Sequence, residues 1–398
     1  MDLREEEEKE VVVVGGGICG LATALALHRR GISSTVLERA DSLRATGVAI
    51  GIFTNGWRAL DQLGVGTKLR QTAIPIQAFR DISLDKGSQR EIPFGKGELR
   101  CLKRSDLIQT LANDLPLDTI RFRSQLIAVK FDPVTSYPLL QLHDGSVIKA
   151  KVVIGCDGVN SIVAELLRLK PTKLCSTYGV RGFTNYRDGH GLSSEFVRVR
   201  RDHLIMGRIP IDDKTVYWFV GRPWNPQDSN VSKDLELIRQ STLESVQGFP
   251  EEMVGMIQSS ELESLTLTRL RYRAPWDILL GSFRKGTVTV AGDAMHVMGP
   301  FLGQGGSAGL EDAVVLARCL AQELSMVGLM PEAERVGAAL DRYVKERRMR
   351  VTWLSTQTYL TGMLLETSSL PMKLLIIVLL IVLFGNSFGH TRYDCGHL

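Results

Sequence analysis

Val11-Val12-Val13-Val14-Gly15-Gly16-Gly17-Ile18-Cys19-Gly20 is a β-branched run that ends in a G-x-G-x-x-G turn. Four valines without polar alternation predict a parallel strand covered on both faces. Gly15 permits the tight turn, Gly17 lets backbone approach a pyrophosphate, and Gly20 allows a helix to pack closely on the strand. From Gly17 to about Arg30 the spacing of Leu21, Ala24, Leu25 and His28 is helical, and Gly31 supplies the stop. Ser34 to Glu38 predicts a second strand, ending on an acid eighteen residues after Gly20, where a carboxylate accepts hydrogen bonds from ribose hydroxyls. The glycine turn alone would be weak evidence; with strand, helix, strand and acid in register it predicts a bound dinucleotide. It does not choose between NAD and FAD, which share the adenosine diphosphate half.

Farther along, Leu139 to Leu142 and Val147 to Ile154 flank Asp144-Gly145, a pair suited to a hairpin turn, and the second strand runs into Gly155-Cys156-Asp157-Gly158. Tyr178 to Phe183, Leu204 to Ile209 and Val216 to Val220 are short aromatic and apolar runs between polar turns, which predict a mostly antiparallel sheet. Thr287 to Val290 reads as another buried strand, followed by Gly292, Asp293, Pro300 and Gly303-Gln304-Gly305-Gly306, then a helix from about Ser307 to Leu324. An acid just past a buried strand suits a ribityl hydroxyl. Free N–H groups at a helix start suit the electron-rich edge of a reduced flavin.

The predicted fold is α/β: a Rossmann-type FAD-binding domain from residues 1–70, 100–172 and 282–340, with an inserted, mostly antiparallel β-sheet substrate domain from 71–99 and 173–281. C-terminal helices occupy 341–398. Within them Leu374 to Phe384 is eleven consecutive apolar residues, about 16 Å as a helix against a hydrocarbon thickness of about 30 Å. Such a segment does not span a bilayer unaided. It packs on the body of the protein or makes peripheral membrane contact, with Lys373 and Arg392 reaching headgroups.

Composition narrows the function classes. Of 398 residues, 44% are apolar and 23% charged, which excludes disorder and a polytopic membrane protein. The 48 basic and 44 acidic residues form no basic stripe, so nucleic acid is not an expected partner. Six scattered cysteines without C-x-x-C read as reduced thiols, and no metal site is expected. The acidic start, Glu5 to Glu8, lacks the character of a targeting signal, and the expected location is cytoplasmic, with any membrane contact peripheral.

Taken together, these three separated motifs resemble the flavoprotein monooxygenases of the aromatic-hydroxylase type, similar to salicylate and urate hydroxylases and zeaxanthin epoxidase, with plant members the most similar. The resemblance runs from Val11 to about Leu365. It implies that Gly15, Gly16, Gly17 and Gly20 hold the FAD pyrophosphate, with Glu38 beside Arg39 at the adenosine ribose. The family's Arg-x-x-Gly matches Arg44 and Gly47, and its Lys-Arg-x-x-Leu arginine matches Arg104. G-x-D-G matches Gly155, Asp157 and Gly158, and the flavin-side Gly-Asp matches Gly292 and Asp293, followed by Pro300, Gly303, Gly305 and Gly306. Two positions depart from the family: Ala164 stands where an arginine is usual, and Ser307 where asparagine is common, a serine expected to cap the helix.

The resemblance implies that NAD(P)H visits to reduce FAD and that O2 adds at the flavin C4a position, giving a hydroperoxide that hydroxylates a small, aromatic substrate. Alternative readings are an epoxidase of a lipophilic substrate, a flavin reductase, or a non-catalytic FAD-binding redox sensor. Substrate-pocket candidates on the inserted sheet are Arg181, His203, Arg208 and Tyr217, with Phe183, Met206, Trp218 and Phe219 as walls; no catalytic base is assigned. His296 is read either as a neighbour of the flavin or as a loop histidine packed on the cofactor. Urate-oxidising members carry an arginine about five residues before the proline of this sheet. Here that place is Ile205, ahead of Pro210, although Tyr217 falls where their tyrosine lies. A substrate other than urate is expected unless Arg208 supplies the charge.

Overall fold

Val11 to Val14 are all but inaccessible to solvent because the strand Glu7–Val14 lies inside a sheet, parallel to Val147–Gly155 on one side and Thr35–Leu37 on the other. The register sets Val12 opposite Val153 and Val13 opposite Val36, so β-branched side chains fill both faces of the layer. Val288–Val290 continues the parallel set beyond Val147–Gly155, and Ile120–Arg121 continues it beyond Thr35–Leu37. The hairpin turn at Asp144-Gly145 forms with Gly145 at φ +82°, the left-handed conformation glycine tolerates. This computed structural model describes residues 7–43, 49–94, 97–226, 228–325, 331–385 and 388–398.

Helix α1 (Ile18–Arg29) crosses one face of this sheet, burying Leu21, Leu25 and Leu27 completely. It packs against α2 (Gly305–Leu324), a long helix whose middle is apolar except for the adjacent acids Glu311 and Asp312, both fully buried. Helix α3 (Glu332–Glu366) lies along α2 and is continuous through residues 340 and 341, where a domain boundary was expected. Its first half, Val336 to Val351, belongs to the same apolar core as the parallel sheet. The helical run breaks before Pro371, which stands in the first turn of helix α4 (Leu370–Phe384), where proline's fixed φ and missing N–H are tolerated. The final segment Phe388–Leu398 returns to the body: Arg58 donates to the Arg392 and Tyr393 carbonyls, and Arg318 to that of Cys395.

The second sheet has seven strands, ordered Thr266–Tyr272, Lys173–Asn185, Thr215–Pro223, Leu204–Pro210, Glu195–Arg201, Ala78–Ser83 and Ser88–Pro93. It is antiparallel except where Glu195–Arg201 runs parallel to Ala78–Ser83. One face carries a separate core of Val180, Val197, Met206, Trp218 and Val220 beneath the helices Leu235–Ser245 and Glu251–Gln258. The other face looks into a cavity.

Candidate active site

That cavity, about 1160 Å³, is lined by both sheets, and exceeds the roughly 300–1,000 Å³ usual for a single small ligand. On the parallel-sheet side its wall includes Gly15, Gly16, Gly17, Glu38, Arg39, Arg104, Asp157, Gly158, Gly292, Asp293, Pro300, Gly303, Gly305 and Gly306. Gly20 is not in the wall. A Cβ there would lie 1.9 Å from the Gly15 carbonyl oxygen, so its role is close packing of α1 on the turn. Arg44 and Gly47 lie outside the described residues.

The glycines of this wall divide into two kinds. A Cβ on Gly15 would collide with the Cys156 carbonyl, a packing requirement within the protein. At Gly17, Gly158 and Gly305 a Cβ would meet, among the described residues and apart from its own chain neighbours and helix turn, no protein atom within 4 Å. Glycine at these three cavity positions leaves room for something other than protein to approach the backbone. Helices α1 and α2 both start at this wall without a side-chain cap, leaving backbone N–H groups for an anionic ligand.

Three carboxylates complete the wall. Glu38 is buried and braces the loop, its Oε2 accepting from Gly16 N at 2.8 Å and its Oε1 from Ala40 N at 2.9 Å. Asp157 Oδ2 accepts from Ile162 N at 2.8 Å. Its Oδ1 is buried with no partner among the described residues, and burial pushes this carboxyl above its ordinary value. Asp293 follows Gly292, whose φ of +61° makes the turn, and leaves its carboxylate exposed to the cavity. Free acceptors, open glycines and uncapped helix starts fit a dinucleotide's hydroxyls and phosphates.

Replacing Glu38 with alanine strands two N–H groups of this loop, at about 1–3 kcal/mol for each that stays dry. Apoprotein titrated with FAD and followed by flavin fluorescence should show about tenfold weaker binding or worse, partly restored in Glu38→Gln. Unchanged affinity would mean that Glu38 does not set the loop.

The antiparallel sheet supplies the opposite wall. Arg181 stands beside Phe219, which stands beside Gly207, and the Ile209–Tyr217 pair lies two residues away. Arg181, Tyr217, Phe219, Ile205 and Ile209 all line the cavity. Among the described residues Arg181 makes no hydrogen bond or ion pair, and burial raises the Tyr217 phenol so that it keeps its proton.

The other two polar candidates lie elsewhere. Arg208 is one residue out of phase with Ile209, so it points through the sheet to the opposite side and pairs with Glu252 at 3.1 Å. Met206 and Trp218 share that side and fill the second core. His203 sits in an exposed turn, its Nδ1 3.1 Å from the Leu365 carbonyl. Phe183 packs against the main core outside the cavity wall.

Beneath the wall lies a polar network that sequence reading missed. Arg347 of α3, fully buried, donates to Asp312 Oδ1 and Glu311 Oε2, both at 2.7 Å. Asp312 Oδ2 in turn accepts from Gly292 N at 2.8 Å and meets His296 Nε2 at 2.6 Å. His296 therefore braces the Gly292-Asp293 turn from below and is absent from the cavity wall. Glu311 also takes Asn55 and Arg350. The adjacent acids inside an apolar helix were the available signal for a buried cation. Ser307 lies within α2, its Oγ without a partner among the described residues, and does not cap the helix.

Residues 8–358 match the model of a family described as FAD binding domain. Monooxygenase 1 of Arabidopsis thaliana is 50% identical over 98% of this chain and 100% of its own. Monooxygenase 2 of the same plant is 34% identical over 92% of each. Among solved structures, Klebsiella pneumoniae HpxO with FAD and uric acid superposes with a TM-score of 0.82 at 19% identity, covering 98% of both chains, a likeness of fold. With a glycine cradle facing open space and the family match running through both sheets, the chain belongs to the FAD-dependent monooxygenases, and its cofactor is FAD.

Proposed function

We propose that this enzyme uses NAD(P)H and O2 to place one oxygen atom on a small aromatic substrate bearing an ionisable oxygen. The observation that carries the reading is one continuous cavity, with the FAD-suited glycine wall on one side and Arg181, Tyr217 and Phe219 on the other. FAD supplies electron transfer and oxygen activation when bound; the protein binds, orients and excludes water. Gly15 to Gly17 and the start of α1 would take the pyrophosphate, Glu38 and Arg39 the adenosine side, and Asp293 with the start of α2 the flavin side.

A phenol reacts more readily as its anion. Arg181 offers a guanidinium unpaired among the described residues and Tyr217 a protonated hydroxyl, so both favour an anionic oxygen on the substrate, and Phe219 gives a ring a flat apolar neighbour. Urate is disfavoured: Ile205 lines the cavity, and Arg208, on the far side of the sheet, cannot supply a charge in its place.

The test is NAD(P)H oxidation by the purified flavoprotein with a panel of phenols, aromatic acids and urate, scored with peroxide release and oxygen-18 incorporation. Label in the product supports the proposal. Stimulated NAD(P)H oxidation without label indicates a reductase, absence of stimulation a non-catalytic flavoprotein, and urate as the fastest substrate overturns the specificity argument. Arg181→Met should raise KM for anionic substrates about tenfold or more, the worth of a charge-assisted hydrogen bond, and leave neutral analogues unaffected. Equal effects on both would remove Arg181 from substrate recognition.

A further inference from the structure

Helix α4 has two apolar faces with different surroundings. Ile377, Leu380, Ile381 and Phe384, spaced three and four residues apart, line the cavity. On the opposite face Leu375, Val378, Leu379 and Val382 repeat that spacing and point away from the protein, with Val378 54% and Val382 73% exposed. Ile376 is the one side chain of the helix that is buried. Trp353 of α3, 45% exposed, stands edge-on to Phe384, and Met349 lies one turn before it, so the exposed apolar surface continues onto α3.

We infer that α4 seats the protein on the surface of a lipid bilayer containing anionic headgroups. The sequence of the helix argues for lipid over protein as the occupant. A protein-docking surface keeps a polar rim around its apolar centre, whereas Lys373 is the only polar residue between Leu370 and Phe384. An all-round apolar helix is stable in lipid or in a protein core, and this one is not in the core. The cations stand at its ends, Lys373 in the first turn and exposed Arg392 beyond the last, where they meet phosphate headgroups while the helix between them is immersed.

The attachment is to one leaflet. Fifteen residues give a helix of about 22 Å, short of the roughly 30 Å hydrocarbon layer. Both flanks are also tied to the same protein body: the end of α3 through Glu366, bonded to Thr177, and the tail through Arg392, Tyr393, Cys395 and Leu398. A segment pinned at both ends on one side lies in the interface plane. The cavity wall formed by Ile377 and Ile381 is then held at the lipid boundary.

The test is co-sedimentation of the full-length holoenzyme with vesicles of phosphatidylcholine, with and without phosphatidylglycerol. Wild type should pellet with the anionic vesicles, and the outward-face variant Leu375→Glu/Val378→Glu/Val382→Glu should lose at least tenfold in vesicle affinity while keeping its flavin and circular dichroism. Wild type remaining in the supernatant, or equal pelleting of the variant, overturns the inference. So does a wild-type dimer in light scattering that the variant splits, because a second copy would then cover the face. Brominated lipids provide a reading that needs no triple variant. Tryptophan emission of the wild type should be quenched, and Trp353→Phe should reduce the quenching; quenching that is absent or undiminished overturns the placement. None of these readouts uses turnover, so a failed oxygenation assay leaves them interpretable.

Discussion

Arg347→Met will destabilise the folded protein by about 3–5 kcal/mol, the range for removing one partner of a buried ion pair. Methionine matches much of the side-chain length, so the loss is electrostatic more than a matter of packing. Burial pushes Glu311 and Asp312 up, and their polar neighbours outweigh it: Arg347 and Arg350 for Glu311, His296 and Arg347 for Asp312. Both carboxyls therefore sit below their ordinary values in the wild type. A group held low in the folded state contributes stability that is complete above the ordinary carboxylate range and is lost as pH falls through it. Without Arg347, burial is no longer fully opposed, the two values rise, and protonating the pair relieves the variant. Denaturant unfolding at about pH 7 and about pH 5 should thus show the wild type ahead at both, with the gap narrower at the lower pH. A gap below about 1 kcal/mol, or one insensitive to pH, would show that Arg347 is not the counter-charge. Because Asp312 also holds the Gly292 amide, flavin affinity should fall in parallel.

The part of this architecture that depends on short sequence spacings was legible in advance. The strand, glycine turn and helix from Val11 to Arg29, and the acid at 38, involve neighbours along one βαβ unit. Less was legible where function depends on phase. Arg181 and Tyr217 face the cavity while Arg208 does not, and on each of their three strands the distinction is one residue of phase in a sheet whose two faces are both apolar. Alternation marks the inner face only when the other face is wet, and here Met206 and Trp218 are covered by helices. The Arg347 network was harder still, since Asn55 of the helix Thr54–Gln62, Glu311 of α2 and Arg347 of α3 are brought together from three helices far apart in sequence. The eleven-residue apolar run was visible, but two exposed sides, one on the cavity and one outward, require knowing where α3 carries it.

Gly20→Ala will yield protein that purifies colourless, with FAD affinity lower by about a hundredfold or more, equivalent to about 2.7 kcal/mol. The added methyl would lie 1.9 Å from the Gly15 carbonyl oxygen, which is backbone and cannot rotate aside. Either α1 or the turn must move. Helix α1 is wedged between the parallel sheet and α2, with Leu21, Leu25 and Leu27 fully buried, whereas the turn borders the cavity. The turn therefore gives way, and with it the N–H groups proposed to meet the pyrophosphate. Overpacking of this kind costs about 1–3 kcal/mol of fold stability, small enough for circular dichroism to report a folded apoprotein. Gly17→Ala is the matched control. Among the described residues its Cβ would meet no protein atom and its backbone φ of −83° suits alanine, so apoprotein stability should change by no more than about 1 kcal/mol, the preference of a helix N-cap for glycine over alanine. Any loss of FAD binding in that variant measures the ligand's approach to the backbone. A yellow Gly20→Ala protein with wild-type affinity would show that the cradle does not depend on the contact between α1 and the turn.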